Sequence, residues 1–175
     1  MQLDKEKLTE LTDGRSKLMD ALGANAKQQA ALLQIGHQFF EHGKFNEARK
    51  IFSGLAILDG NNPYVYGMLG AIFQKEQRFE LALSCYNRSL NLFPQDIDSL
   101  VNRGEILLKL GRFAEAARDL KQSIELDGAQ KHPAANRARL LVLLVQDAIA
   151  LAEEKGIEAV QQEQKKYNRP SKKRS

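Results

Sequence analysis

Small and apolar residues recur at a constant interval through the middle of the chain. Five columns repeat in register every 34 residues: Gly36, Gly70 and Gly104; Phe45, Phe79 and Phe113; Ala48, Ala82 and Ala116; Phe52, Tyr86 and Leu120; Leu58, Leu92 and Leu126. A fixed period of this length indicates units that each pack on their neighbours. We therefore predict three units, at 29–62, 63–96 and 97–130.

Each unit is predicted to be a pair of antiparallel helices. The glycine column lets the first helix approach the second closely, and the alanine column does the same from the second helix. The aromatic column is predicted to begin the second helix and to fill the corner behind the turn. Gly43 and Gly111 stand where a helix ends in a left-handed residue, and Gln77 takes that position in the second unit. These features are those of the tetratricopeptide repeat, so we predict an all-α solenoid.

Two further helical segments are predicted to flank the three repeats. Residues 131–156 form a C-terminal capping helix that begins at Pro133, ends near Lys155 and carries an apolar stripe. The stripe consists of Leu140, Leu141, Leu144, Ala148 and Leu151. Residues 1–28 show a weaker amphipathic pattern, which predicts either a cap or a contact with a second copy. The basic tail, 157–175, is predicted to be partly disordered.

Composition places the chain among soluble proteins of a reducing compartment. It has 175 residues, of which 43% are hydrophobic and 27% are charged, which is enough for one domain with its own core. The single cysteine, Cys85, cannot form a disulfide within the chain, and no secretory signal or membrane-spanning segment is visible. We therefore predict a cytoplasmic protein with no stable membrane insertion.

The net charge of +4 does not indicate nucleic-acid binding, because the excess lies in the tail. Residues 1–156 carry 20 basic and 20 acidic side chains, whereas 157–175 carry six basic and two acidic ones. Clustered lysine and arginine can neutralise phosphates, but Tyr167 is the only aromatic residue in this tail. We interpret the tail as a solubilising end and expect no nucleic-acid partner.

No arrangement of residues predicts catalysis or a cofactor. The three histidines, His37, His42 and His132, share no helix face, and no paired Cys/His spacing suggests a metal site. Glycine-rich phosphate loops and nucleophile motifs are also absent from the sequence. We therefore predict a binding protein rather than an enzyme.

The concave face of the solenoid is the predicted binding site, because first helices line that face in stacked repeats. The residues predicted to face the groove are Leu33, His37, Phe40, Tyr64, Gly67, Ala71, Gln74, Val101, Asn102, Glu105 and Leu108. The apolar members would otherwise be left in water, which is typical of a binding surface. The small residues Gly67 and Ala71 are predicted to leave room for an extended peptide with separated apolar side chains.

Two alternatives concern what fills this groove. The chain's own N-terminal segment or a second subunit could cover the apolar residues permanently. An acidic C-terminal peptide, of the kind that heat-shock chaperones present, would need lysine and asparagine to bind its carboxylates. Leu33 and His37 occupy those positions, which argues against such a peptide.

Two strings of residues resemble the class II chaperones of bacterial type III secretion systems. Gly43-Lys44-Phe45 followed by Ala48, Phe52, Leu55 and Leu58-Asp59 is similar to that family, and so is the stretch from Glu105 to Leu120. The resemblance covers about residues 29–127. It implies three repeats between two flanking helices, a homodimer that involves the N-terminal part, and a groove that binds a segment of a hydrophobic translocator.

By this resemblance, the family's first groove pockets match Leu33, His37, Phe40, Tyr64 and Tyr66. Leu33 and His37 stand where the family often has aromatic residues, and the basic tail has no counterpart in the family. The implied function is sequestration of translocators before export. The alternative is a general tetratricopeptide-repeat adaptor that binds another peptide in pilus, envelope or signalling assembly.

Overall fold

The computed structural model describes residues 26–167, which form seven helices and no strand. The helices are α1 (Ala26–Glu41), α2 (Phe45–Leu58), α3 (Pro63–Lys75), α4 (Phe79–Leu92), α5 (Ile97–Lys109), α6 (Phe113–Leu126) and α7 (Pro133–Tyr167). The predicted all-α fold is confirmed. The N-terminal helical segment predicted before residue 26 and the last residues of the basic tail lie outside the described residues.

Consecutive helices are antiparallel because short turns join them. The turns after α1, α3 and α5 each contain a residue with positive φ, at Gly43 (71°), Gln77 (59°) and Gly111 (72°). The predicted left-handed turn position is therefore confirmed in all three repeats, including the one occupied by Gln77. Before the second repeat, the Asn62 side chain caps the beginning of α3 by accepting hydrogen bonds from the amides of Tyr64 and Val65.

The glycine column is the point of closest approach between the two helices of each repeat. A Cβ atom on Gly70 would lie 2.6 Å from the Tyr86 ring, and one on Gly36 or Gly104 would lie 3.0 Å from Phe52 or Leu120. The alanine column is fully buried opposite. The predicted role of both columns is confirmed.

The hydrophobic core runs the length of the solenoid. Phe73 packs between the first and second clusters of buried residues, and Leu108 packs between the second and third. The aromatic column begins each second helix as predicted, but it does not fill the corner in every repeat. Phe113 is 64% exposed at the start of α6.

Helix α7 takes the place of a fourth first helix. Its buried residues Ala134, Ala135 and Ala138 follow Leu100, Val101 and Gly104 at an interval of 34. Ala134 and Ala138 form a cluster with Val101 and Leu120, and α7 packs against α5 and α6. Of the predicted apolar stripe, Leu141 packs against the core, but the prediction is wrong for Leu140, Leu144 and Leu151, which are more than half exposed. The predicted end near Lys155 is also wrong, because the helix continues through Gly156 to Tyr167.

Within residues 26–167, none of the helices combines the length and the apolar character that crossing a bilayer requires.

Candidate functional site

The first helices of the repeats lie side by side and line a cavity of about 1000 Å³. This cavity is called the groove below. Its lining comes mainly from α1, α3 and α5, with Phe79 and Tyr86 on α4 and Arg137 on α7. Gln77 in the turn before α4 and Asp96 just before α5 also contribute. A volume of this size is at the upper end of typical ligand pockets, so the groove has room for several side chains of a guest.

Eight of the predicted residues line the groove together: His37, Phe40, Tyr64, Gly67, Ala71, Gln74, Asn102 and Glu105. Four others, Leu33, Tyr66, Val101 and Leu108, are not part of its lining. The groove is therefore less apolar than the sequence suggested, since three of the five apolar residues expected there lie elsewhere.

Each of these four side chains packs in another part of the structure. Val101 was expected to be exposed to solvent, which is wrong: it is completely buried beside Leu120 and α7. Leu33 and Leu108 are partly buried against core clusters. Tyr66 packs against the first cluster, and the Arg88 guanidinium lies over its ring at 5.6 Å.

The first two repeats provide the apolar part of the groove. Tyr64 remains 45% exposed and meets Phe52 edge to face, with ring centres 6.2 Å apart. Phe40 packs on Phe45 at 5.6 Å. Partial burial, and then the negative charge of Glu41, raise the pKa of Tyr64, so its hydroxyl stays protonated. That hydroxyl lies 3.1 Å from Nδ1 of His37, which ties α3 to α1.

The role predicted for Gly67 needs correction. A Cβ atom there would lie 3.3 Å from Oγ of Ser99, which is tighter than ordinary contact. The missing side chain thus lets the beginning of α5 approach α3, instead of leaving space for a guest backbone. Ala71 lies one turn further along α3 and lines the groove itself.

A chain of hydrogen bonds crosses the floor at the third repeat. The Tyr86 hydroxyl donates to Gln74 Oε1 at 2.8 Å, and Gln74 Nε2 donates to Glu105 at 3.3 Å. Arg137 then donates to Glu105 Oε1 at 3.0 Å and to Asn102 Oδ1 at 2.8 Å. This polar network connects α3, α4, α5 and α7 and forms the polar end of the groove.

Arg137 is the main groove residue that the sequence interpretation missed. The sequence could have indicated it, because Ala138 continues the glycine column at the interval of 34. That position makes α7 equivalent to the first helix of a repeat. Lys75 and Lys109 were also missed, although they occupy equivalent positions in two repeats. Asp96, Asp98 and Ser99 complete the opposite side of the lining.

The described residues offer little for catalysis. Between residues 26 and 167, no group of three or more His, Cys, Asp or Glu side chains is placed to hold a metal ion. Burial raises the pKa of the Cys85 thiol to about 11, which leaves it protonated and a poor nucleophile at neutral pH. The groove is thus equipped to hold a ligand by shape, apolar contact and hydrogen bonds.

Comparison with known proteins gives the same architecture. A tetratricopeptide-repeat family model matches residues 69–146. The chaperone protein SicA of Salmonella typhimurium is 28% identical over 137 residues, which is 78% of this chain and 79% of that protein. PcrH from Pseudomonas aeruginosa superposes with a TM-score of 0.64 at 25% identity, over 70% of this chain and 94% of PcrH.

The type III secretion translocator chaperone SycD of Yersinia enterocolitica, solved with a peptide of the translocator YopD, is a further match. It has a TM-score of 0.63 at 24% identity, over 74% of this chain and 97% of SycD. The chain thus resembles the type III secretion translocator chaperones in sequence and in fold. SicA and SycD are both named as chaperones.

Proposed function

We propose that this protein is a cytoplasmic chaperone that binds a segment of a hydrophobic type III secretion translocator in the groove and keeps the translocator soluble until export. The observation that carries the proposal is the groove itself, an open cavity of about 1000 Å³ on the inner face of the repeats. Its apolar part, built around Phe40 and Tyr64, offers contacts that a hydrophobic segment can bury.

The first support is that the apolar part is held in place before a guest arrives. The Tyr64 ring is fixed by Phe52 on one side and by its hydrogen bond to His37 on the other. Phe40 is fixed by Phe45. A preformed surface loses less side-chain entropy when it binds than a mobile one does, so more of the contact energy contributes to affinity.

The second support is the structure of SycD with a YopD peptide, in which a protein that this chain resembles in fold binds a segment of a translocator. A bound segment would also be withheld from premature contacts with other translocators. Since burial of apolar surface needs no covalent step, no nucleotide or cofactor is required in this mechanism. Release follows from competition for the segment at the export apparatus.

Co-expression tests this function. The protein is produced together with each hydrophobic secreted protein encoded near its own gene, and the soluble fraction of each candidate is measured with and without the chaperone. We expect one or more translocators to become soluble and to co-purify. Failure of every candidate would contradict the proposal and favour an adaptor that binds another peptide.

A double variant, Phe40→Asp with Tyr64→Asp, locates the binding surface. We expect it to abolish co-purification, because two carboxylates would have to be buried under the guest. Circular dichroism and thermal melting establish whether the variant is folded. As a matched control, Ile57→Asp with Phe113→Asp changes two exposed apolar residues outside the groove and should leave co-purification intact.

We also propose that the protein forms a homodimer through its N-terminal segment, in line with the family resemblance. SycD has been crystallised in more than one dimeric arrangement, since one of its structures is described as an alternative dimer. Light scattering of the full chain tests this, with a dimer mass expected. A monomer at concentrations where the translocator binds would contradict it.

A further inference from the structure

The two long edges of the groove carry opposite charge. Lys75 and Lys109 are the last residues of α3 and α5, whereas Asp96 and Asp98 lie at the beginning of α5. All four side chains line the groove. Because α3 and α5 run parallel, the two lysines lie at one edge and the two aspartates at the other.

Contacts within the protein support this placement. At one side, Gly67 near the beginning of α3 approaches Asp96 and Ser99 at the beginning of α5. Further along, Gln74 near the end of α3 is hydrogen-bonded to Glu105 on α5. From Asp98 to Lys109 the helix rises by roughly 16 Å, so the charged edges stand far enough apart for a peptide to lie between them.

Three of the four charges at the two edges are still available to a guest, whereas Asp96 accepts a hydrogen bond from Ser89 at 3.4 Å. Among the described residues, Lys75 and Lys109 have no ion-pair partner, and Lys109 is held at its edge by the Phe79 ring, 5.6 Å away. Asp98 is 65% exposed and only loosely paired with His132, at 3.7 Å. In contrast, the Glu105 carboxylate on the floor is already neutralised by Arg137 at 3.0 Å.

Charges of these signs also stabilise the helices that carry them, because acidic groups are favourable at the beginning of a helix and basic groups at its end. The first repeat shows that this does not dictate the basic edge, since Glu41 ends α1 at the position equivalent to Lys75 and Lys109. The opposite charge of the two edges is therefore specific to the second and third repeats, where most of the polar groups of the groove lie.

We propose that the segment bound in the groove is charged on both of its sides. It presents an acidic side chain toward Lys75 and Lys109, a basic side chain toward Asp96 and Asp98, and apolar side chains between them. This proposal rests on the proposed function, and it specifies the chemistry of the guest. Complementary edges give the guest one orientation and reject segments of the same hydrophobicity whose charges are reversed.

Selection from a displayed library of short random peptides tests the proposal. The immobilised probes are the full-length protein, a Lys75→Glu, Lys109→Glu variant and an Asp98→Lys variant. We expect the unmodified protein to enrich peptides that combine apolar residues with both charge signs. The lysine variant should bind those peptides roughly tenfold more weakly and should enrich basic residues in place of acidic ones.

The Asp98→Lys variant should cause the opposite change, with acidic residues replacing basic ones. A matched control for the lysine variant, Lys50→Glu with Lys121→Glu, makes the same change of net charge at exposed positions outside the groove and should leave the selected peptides unchanged. Thermal melting of each variant shows that it is folded.

The possible failures are distinguishable. If the unmodified protein enriches no peptide, both this proposal and groove binding are contradicted. If peptides are enriched and are lost in the Phe40→Asp, Tyr64→Asp variant, but all charge variants select the same sequences, the groove binds and only the proposal on charge is wrong.

Discussion

Arg137 on α7 donates a hydrogen bond to the Glu105 carboxylate on α5, at 3.0 Å, across the floor of the groove. The same guanidinium reaches Asn102 at 2.8 Å. Through these bonds the last helix contributes to the lining of the groove, in addition to covering the end of the hydrophobic core. A helix predicted only as a cap therefore has a second role.

Replacing this arginine should weaken the attachment of α7. Arg137→Ala leaves Glu105, which is only 23% exposed, with Gln74 as its remaining partner. Because Arg137 is itself half exposed, we expect a modest loss of about 1 kcal/mol in the free energy of unfolding. Urea denaturation measures this loss. Arg118→Ala, at an exposed site on α6, serves as the control and should change stability by less than half as much.

Replacing a glycine by alanine should have opposite effects on stability inside and outside the glycine column. Gly70→Ala would place a methyl group 2.6 Å from the Tyr86 ring, which is buried and held by Gln74. We expect a loss of about 1–3 kcal/mol in the free energy of unfolding, because the helices must separate. Gly54→Ala is the matched control in the interior of α2.

A Cβ atom on Gly54 meets no atom within 4 Å, so its only effect is on the backbone. Alanine there should raise the free energy of unfolding by roughly 0.5–1 kcal/mol. Thermal denaturation of both variants checks the pair. Equal effects of the two substitutions would show that the predicted closeness of α3 and α4 is wrong.

The Asp127 carboxyl, at the end of the third repeat, should make the stability of the protein depend on pH. Burial raises the pKa of its carboxyl, but hydrogen bonds from Arg139 and from the amides of Lys131 and His132 together hold it below the ordinary value of 3.8. A lowered pKa means that the ionised form stabilises the fold above pH 3.8 and that this stabilisation is lost at lower pH.

Asp127→Asn should therefore be less stable than the unmodified protein near neutral pH. The difference should shrink as the pH falls below 3.8, because the unmodified protein then loses the same charge. Melting temperatures of both proteins across this range measure the effect. A constant difference at every pH would contradict the assigned role of the charge.

The structural roles of the repeated residues could be predicted from the sequence, because each role depends on a single local requirement. A glycine opposite Phe52 or Tyr86 needs only a close helix pair, and Gly43 needs only a left-handed turn. The period fixes these positions independently of any ligand. For the same reason, Gln77 could be assigned to a turn even though it is not glycine.

The groove was harder to predict because it depends on contacts between repeats. Val101 has the same position in its repeat as Leu33 and Gly67, but α7 packs over it and buries it completely. The register of α7 follows from Ala138, and that signal is weak because alanine replaces the glycine of the column. The exposed Leu140 and Leu144 show the same difficulty, since an apolar stripe alone does not reveal which face packs.

The affinity of an Ala71→Glu variant for the translocator identified by co-expression tests the central claim most directly. Ala71 lines the groove, and its counterpart in the third repeat is Glu105, so glutamate is compatible with the fold at this position. Isothermal titration calorimetry should give at least about tenfold weaker binding, because a guest would have to cover an unpaired carboxylate. Ser84→Glu, exposed on α4 outside the groove, should bind as the unmodified protein does. Equal affinity of the Ala71→Glu variant and the unmodified protein would contradict binding in the groove.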